Sequence, residues 1–219
     1  MVTERIIPTE YGEGRLVTRR ATRPIATLLL SHGAGRGIDS PDLEALASEL
    51  PRLGISVLLW EQPWVRAGRK VASPPATLDV GLRAAAATLR PTTPLVVGGR
   101  SAGARSALRC ATGLGAAGCL AISFPLHPPG KPERSRLDEL VGAGVPTLVV
   151  QGERDPMGRP EEFPDPLPAE VAMAVVPAAD HGLKVPKAAP LSQEDALDLV
   201  AESAAEWITR DIAGNARRE

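Results

Sequence analysis

The chain of 219 residues has few aromatic side chains, two cysteines and almost no net charge. Aromatic residues make up 3% of it, too few for the stacked side chains that bind single-stranded nucleic acids. The net charge of −1 provides no overall basic surface for nucleic acid or for an anionic membrane. The composition therefore predicts neither a nucleic-acid nor a membrane partner.

Long hydrophobic runs are also missing. The longest apolar runs have four to six residues, too few to cross a bilayer, and MVTERIIPTE lacks the apolar core of a signal peptide. Cys110 and Cys119 lie among small apolar residues, which favours two buried free thiols over a disulfide. These features predict a cytoplasmic protein, and the length predicts a single domain over residues 1–219.

Short apolar runs alternate with longer stretches of helical periodicity. The runs are continuously apolar, as in parallel strands covered on both faces. They are residues 26–31, 55–60, 95–99, 119–123, 147–152 and 171–176, with a weaker run at 14–20 that predicts an antiparallel edge strand. Helices are predicted over 40–54, 77–90, 102–114 and 191–214, with Ser40 and Ser192 as N-caps. The alternation predicts an α/β fold, a mostly parallel doubly wound sheet with helices on both faces. Such sheets bind ligands at the carboxyl ends of their strands.

The stretch VVGGRSAGAR, residues 96–105, contains Gly-x-Ser-x-Gly centred on Ser101. The serine follows a predicted strand and opens a predicted helix, which is the context of a nucleophile elbow. Such a turn strains the serine backbone and leaves no room for side chains at Gly99 and Gly103. The alternative is a glycine-rich strand–helix turn of a nucleotide-binding α/β protein.

A nucleophilic serine needs a base, and α/β hydrolases order their residues Ser, acid, His along the chain. His181 lies after the last predicted strand and before the last helix, where this order predicts the base. His32 precedes the serine, and His127 precedes the candidate acids.

The acid is expected at the end of a strand between Ser101 and His181. Asp155 follows the strand at 147–152 and is the predicted acid, with Glu153 as the second candidate. Asp180 is adjacent to His181 and is poorly placed to fold back onto the ring of its neighbour.

An oxyanion hole needs two backbone N–H donors. One is predicted at Ala102, the residue after the nucleophile, and the other in the loop after the first buried strand, SHGAGRG at 31–37. In that loop Ala34 is favoured over Gly33. A phosphate-binding loop is the alternative, although the segment lacks the Lys-Ser/Thr of a P-loop.

Three further side chains are candidates for binding an anionic group of the substrate. They are Arg100, His127 and Lys131, which precede the nucleophile or follow the strand at 119–123. Alternatively, Arg100 braces neighbouring loops by hydrogen bonds, and His127 is a solvated loop histidine.

The segments SHGAG, GGRSAGAR, FPLHPPGKPE, QGERDPMG and AADHGLK together resemble the small α/β-hydrolase family related to the dienelactone hydrolases. Within it, HPPGKPE points to a cap-less branch with testis-expressed relatives and a subunit of a chromatin-modifying complex. The resemblance implies an α/β-hydrolase fold without a lid domain. It also implies Ser101 as nucleophile, Asp155 as acid and His181 as base. Dienelactone hydrolases proper use a cysteine nucleophile, so the serine does not favour dienelactone as substrate.

Together the residues predict a serine hydrolase that cleaves a small ester or related acyl bond through an acyl-enzyme, with no metal or organic cofactor. The expected partner is a small acyl substrate, and the sequence does not point to a protein partner. Two alternatives stay open: a non-catalytic α/β-hydrolase-fold binding protein or complex subunit, and acyl transfer by the same triad.

Overall fold

The computed structural model describes residues 2–214, in which eight strands form a single sheet. The strands are β1 (Val2–Thr9), β2 (Gly12–Arg19), β3 (Ala26–Ser31), β4 (Ile55–Glu61), β5 (Leu95–Arg100), β6 (Gly118–Ile122), β7 (Thr147–Gly152) and β8 (Val171–Val176). Their order across the sheet is β1-β2-β4-β3-β5-β6-β7-β8. Strands β3 to β8 run parallel, and β1 and β2 form an antiparallel hairpin that joins β4 through β2.

Helices cover both faces of this sheet. They are α1 (Pro41–Glu49), α2 (Pro63–Arg66), α3 (Pro75–Ala87), α4 (Ala102–Cys110), α5 (Leu137–Val141) and α6 (Gln193–Trp207). Helices α1 and α6 pack with one face of the sheet in one hydrophobic cluster, and α3, α4 and α5 pack with the other face in a second cluster. The structure confirms the predicted α/β fold with a mostly parallel sheet between two helical layers.

The N-terminal hairpin differs from the prediction. No strand was predicted over Val2–Thr9, and the run at 14–20 was predicted to form the sheet edge, whereas β1 lies outside β2. The sequence of β1, VTERIIPT, has no long apolar run that would predict a strand, and only its Ile7 is buried. Its stability comes from the paired register with β2, which starts at Val2 opposite Arg19 and ends at Thr9 opposite Gly12.

The helix ends show which capping signals act in the fold. Ser192 caps α6 as predicted, since its hydroxyl accepts a hydrogen bond from the Asp195 N–H at 3.1 Å. Ser40 occupies the N-cap position of α1, but its side chain makes no capping hydrogen bond. The prediction for residues 40–54 was too long for an α-helix, because a 3₁₀ turn at Leu50–Leu53 follows α1 and ends at Gly54 with φ 85°.

The other predicted helices also end differently. Helix α3 begins earlier than residue 77, at Pro75, and α4 passes into a 3₁₀ turn at Thr112–Leu114. Helix α6 continues as a π-helical turn at Ile208–Ala213. Helices α2 and α5 were not predicted, since four and five residues are too few for a periodic pattern.

Within residues 2–214, the connection from β6 to β7 contains one helix, the short α5, and none of the helices is long and apolar enough to span a membrane. The predicted single domain over 1–219 stays a prediction, and residue 1 and residues 215–219 lie outside the described part of the chain.

Candidate active site

Ser101 lies between the end of β5 and the start of α4. Its backbone has φ 52° and ψ −111°, a conformation that non-glycine residues rarely adopt. Strain of this kind amounts to about 1–3 kcal/mol and persists where the surrounding structure holds it. The Ser101 N–H donates to the Ile122 carbonyl at 2.9 Å, which ties the turn to the end of β6.

The two glycines of the motif allow the backbone of β3 to approach this turn. A Cβ on Gly99 would collide with the Ser31 carbonyl oxygen and lie 2.7 Å from the Gly103 carbonyl carbon. A Cβ on Gly103 would collide with the same Ser31 oxygen and lie 2.7 Å from the His32 oxygen. Both positions therefore require glycine because backbone, which cannot give way, occupies the space.

His181 extends from the loop between β8 and α6 to the serine. Its Nε2 lies 2.9 Å from Ser101 Oγ, and its Nδ1 lies 2.7 Å from Asp155 Oδ2. A carboxylate oxygen accepts, so Nδ1 carries the proton of the neutral ring and Nε2 presents its lone pair to the serine hydroxyl. The three side chains thus form one hydrogen-bonded chain across the carboxyl ends of β5, β7 and β8.

Asp155 is fully buried behind the histidine. Its Oδ1 accepts from the Met157 N–H at 2.8 Å, and its Oδ2 accepts from Gln151 Nε2 at 3.0 Å as well as from the histidine. Gln151 is itself buried in β7, and its amide also donates to the Phe124 and Gly158 carbonyls. The carboxylate is therefore held in one orientation by donors on both of its oxygens.

The other two candidate acids have different partners. Glu153 Oε2 accepts from the Ala178 N–H at 2.6 Å, on the loop that follows β8. Asp180 Oδ1 accepts from the N–H groups of Gly182 and Lys184 at 2.7 and 3.0 Å. Asp180 therefore shapes the loop that carries His181, while Asp155 contacts the imidazole ring.

The loop after β3 lies directly beside the serine. A Cβ placed on Gly33 would be 3.3 Å from Ser101 Cβ, so a side chain there would crowd the site. On the other side, Ala102 is the first residue of α4, and its N–H has no carbonyl partner within the helix. The predicted donors Ala34 and Ala102 thus belong to two segments that flank Ser101.

His32 fixes the conformation of that loop, a role that sequence reasoning missed. The Gln62 N–H donates to His32 Nε2 at 3.0 Å, so Nδ1 carries the proton and donates to the Gly33 carbonyl at 2.8 Å. Burial lowers the pKa of His32, which keeps the ring neutral and preserves this pattern. Because the peptide bond is planar and trans, the Ala34 N–H points away from the His32 ring.

Arg100 connects the loop that carries His181 to α1. Its Nη2 donates to the His181 carbonyl oxygen at 2.9 Å, and its Nε lies 3.2 Å from Asp42 Oδ2, in an ion pair not aligned as a hydrogen bond. The Asp42 side chain is 2% exposed and the Arg100 side chain 12%. These contacts are those of a brace between α1 and the histidine loop, and Asp42 is a second residue that sequence reasoning missed.

His127 and Lys131 lie on the loop after β6. His127 is buried, with Nδ1 2.9 Å from the Pro128 carbonyl and Nε2 2.8 Å from Glu162 Oε2. The Pro128 carbonyl and the Glu162 carboxylate raise the pKa of this histidine. Lys131 is exposed in a turn closed by its own N–H and the Pro128 carbonyl. Both ring nitrogens of His127 therefore already have protein partners.

A cavity of about 440 Å³ lies near the elbow and the histidine loop, although Ser101, Asp155 and His181 are not among the residues that line it. Gly35, Arg100 and Gly182 line it, and each is next in sequence to Ala34, Ser101 or His181. Among residues 2–214, no group of three or more His, Cys, Asp and Glu side chains is arranged to hold a metal ion. Cys110 and Cys119 are free and buried, as predicted.

A comparison with protein-family models matches most of the chain to one family. A family model described as an alpha/beta hydrolase domain matches residues 24–209. The chain belongs to that family. The match runs from just before β3 into the π-helical turn after α6, so it includes Ser101, Asp155 and His181 and leaves out the β1–β2 hairpin. A search of curated proteins found no match to the sequence.

Solved structures of similar fold cover almost the whole of this α/β hydrolase. A serine hydrolase without a lid from Xanthomonas campestris has a TM-score of 0.73 at 20% identity, over 94% of each chain. A dienelactone hydrolase from Anabaena variabilis has a TM-score of 0.73 at 19% identity, over 96% of this chain and 97% of that one. Est1E from Butyrivibrio proteoclasticus has a TM-score of 0.70 at 13% identity, over 96% of this chain and 99% of that one. These likenesses confirm the lid-less fold and the resemblance to dienelactone hydrolases, while the testis-expressed branch stays a prediction.

Proposed function

We propose that this α/β hydrolase is a serine hydrolase that cleaves small carboxylic esters or related acyl bonds. The observation that carries the proposal is the continuous chain from Ser101 Oγ through His181 to Asp155, with contacts of 2.9 and 2.7 Å. A serine hydroxyl is a weak nucleophile unless a base accepts its proton, and this chain supplies the base with its orienting acid.

In the proposed reaction, Ser101 Oγ attacks the carbonyl carbon of the ester while its proton moves to His181 Nε2. The Asp155 carboxylate accepts a hydrogen bond from Nδ1–H and stabilises the imidazolium. The tetrahedral intermediate collapses when His181 returns the proton to the departing alkoxide, which leaves an acyl-serine. Water then attacks the acyl carbon with His181 again as base, and the acid is released.

The negative charge on the former carbonyl oxygen is assigned to two backbone donors. Ala102 offers the free N–H at the start of α4, where the helix dipole favours negative charge. Ala34 is favoured over Gly33 because the Gly33 carbonyl is held by His32, which turns the Ala34 N–H to the opposite side of the loop. Removing one such donor in other enzymes lowers kcat by roughly 10²–10³-fold.

The cavity lined by Arg100 and Gly182, the sequence neighbours of Ser101 and His181, supports a small substrate, since about 440 Å³ lies within the usual range for small-molecule sites. Of the three residues predicted to bind an anionic substrate group, Arg100 alone is among those that line this cavity. Its guanidinium already contacts Asp42 and the His181 carbonyl, so a substrate anion would share it with those groups. For His127 and Lys131 the role stays a prediction, as does the cytoplasmic location.

Labelling with a fluorophosphonate tests the proposal. The intact mass of the native protein should increase by one adduct, and the adduct should be absent from Ser101→Ala and His181→Ala. Glu170→Ala is the matched control, since this exposed residue directly precedes β8, at the opposite end of that strand from the loop that carries His181. A panel of short-chain p-nitrophenyl esters then measures turnover through the release of p-nitrophenolate. A folded native protein that forms no adduct would contradict the proposal and favour a non-catalytic binding protein.

A further inference from the structure

A second and larger cavity, of about 740 Å³, lies at the other end of the sheet from the triad. We call it the arginine groove, defined by Arg5, Arg20 and Arg90 around a floor that includes Thr18 and Ser56. Thr27 of β3 lines this groove, and Ser31, the last residue of β3, lies beside the Ser101 turn. The four-residue separation of Thr27 and Ser31 in an extended strand corresponds to about 13 Å. The groove is therefore separate from the candidate active site.

The charged side chains that line the arginine groove are all positive. Three guanidinium groups line it, and within residues 2–214 no Asp or Glu does. Elsewhere in the molecule arginines face carboxylates, as Arg105 faces Glu139 at 2.6 Å and Arg109 faces Asp79 at 2.7 Å. A concentration of unmatched positive charge in a concave surface attracts anions.

Two of the arginines are held in place while most of their donors stay free. Arg5 Nη2 donates to Thr88 Oγ1 at 3.2 Å, and that hydroxyl donates to the Ala85 carbonyl at the end of α3. Arg90 Nη1 donates to the Ala87 and Leu89 carbonyls at 2.9 and 2.6 Å. A guanidinium has five N–H groups, so both side chains keep donors for a ligand.

The third arginine has no such anchor. Among residues 2–214 the Arg20 side chain makes no hydrogen bond or ion pair. It follows the end of β2 and lines the groove together with the 88–93 segment. Its whole set of donors is thus available to a ligand.

The floor of the groove adds hydroxyl groups to these cations. Thr3 pairs with Thr18 across β1 and β2, and Ser56 pairs with Thr27 across β4 and β3. All four side chains line the cavity. A phosphate group accepts several hydrogen bonds at once and matches the fork geometry of arginine, so hydroxyls below and guanidinium groups around it form a suitable set of donors.

We propose that the arginine groove binds a small molecule that carries a phosphate or diphosphate group. The volume of about 740 Å³ admits a ligand of metabolite size. Arg20 contributes a guanidinium with no protein partner, and Arg5 and Arg90 contribute guanidinium groups that protein hydrogen bonds hold in place. Because the groove is distant from Ser101, this binding is independent of the proposed hydrolase activity.

Calorimetric titration with inorganic pyrophosphate at low ionic strength tests the proposal. The native protein should bind one pyrophosphate, and Arg20→Gln should weaken binding roughly tenfold, as expected for a lost charged hydrogen bond. Arg5→Gln should weaken it by a similar factor. Arg159→Gln is the control, since this exposed arginine follows β7 at the triad end of the sheet.

The variants distinguish specific binding in the arginine groove from nonspecific electrostatic attraction of the anion. Unchanged binding by Arg159→Gln together with weakened binding by Arg20→Gln supports the groove. The absence of saturable binding by the native protein overturns it, and so does equal weakening in all three variants. Arg20 has no protein partner to lose, so its variant should fold. Fluorophosphonate labelling of Ser101, measured in parallel, is expected to be the same in every variant.

Discussion

Replacing Asp155 by asparagine tests the proposed triad most directly, because it changes one atom of a fully buried group. The carboxylate accepts from His181 Nδ1 and Gln151 Nε2 on Oδ2, and from the Met157 N–H on Oδ1. All three partners are donors. An amide has one acceptor oxygen and one NH₂ group, so it can match only one side of this arrangement.

Either orientation of the new amide disturbs the site. With its NH₂ towards His181, the ring must accept at Nδ1, so Nε2 carries the proton and no longer accepts from Ser101. With its NH₂ towards Met157, two buried donors face each other, which costs about 1–3 kcal/mol of stability. The first orientation removes the base, and the second weakens the folded state.

The expected loss of activity is large. Replacing the triad aspartate of a trypsin-like protease by asparagine lowers kcat by roughly 10⁴-fold, because the histidine then takes the wrong tautomer. A factor of that size corresponds to about 5.4 kcal/mol in the activation free energy. The rate of acyl-enzyme formation with a p-nitrophenyl ester, measured by stopped flow, reports this step directly, and urea unfolding reports the change in stability.

Glu153→Gln is the matched control for this experiment. It neutralises a carboxylate two residues away but keeps an oxygen to accept from the Ala178 N–H. Its rate should stay within about twofold of the native rate, as for surface changes of about 0.5 kcal/mol. If Asp155→Asn keeps more than about a tenth of the native rate, or if Glu153→Gln shows the larger loss, the assignment of the acid is wrong.

Three further predictions concern the fold around the site. Gly103→Ala should lower the free energy of unfolding, measured in urea, by about 1–3 kcal/mol, because the new Cβ would collide with the backbone of β3. Gly113→Ala is the control and should leave this free energy nearly unchanged, because its Cβ would lie in open space. Burial lowers the pKa of His32, so the unfolded state binds more protons as pH falls below the ordinary value of 6.5. Stability should therefore fall with acidity in that window, and thermal unfolding of His32→Asn should show a smaller slope against pH. Burial raises the pKa of Cys110 and Cys119, so Ellman's reagent should react with neither thiol until the protein unfolds.

The parallel strands and the meeting of Ser101, Asp155 and His181 could be predicted because their signals are local. Strand β6 reads as a continuous run without polar side chains, GCLAI, and every residue of it is buried. The Gly-x-Ser-x-Gly pattern carries its own steric reason, which the contacts of Gly99 and Gly103 show. Asp155 and His181 were found from their positions at strand ends, which a parallel sheet brings to one edge.

The residues that support the triad could not be predicted in the same way. Asp42 and Arg100 meet only after α1 and β5 have packed on the sheet, and no local pattern joins them. Strand β1 is stabilised by its partner β2 rather than by its own apolar residues. Gln151 did leave a signal, because a polar residue in the buried run TLVVQG requires a partner.

The same packing that builds the sheet also holds the strained serine. Ser101 is fixed by the Ile122 carbonyl on β6 and by the close approach of β3 to the elbow, so contacts with two neighbouring strands hold a backbone strain of about 1–3 kcal/mol. His181 is fixed twice, through its ring by Asp155 and through its backbone carbonyl by Arg100. A change in strand register would therefore separate Ser101 from His181. For this reason the geometry of the site is a property of the central sheet rather than of the loops alone.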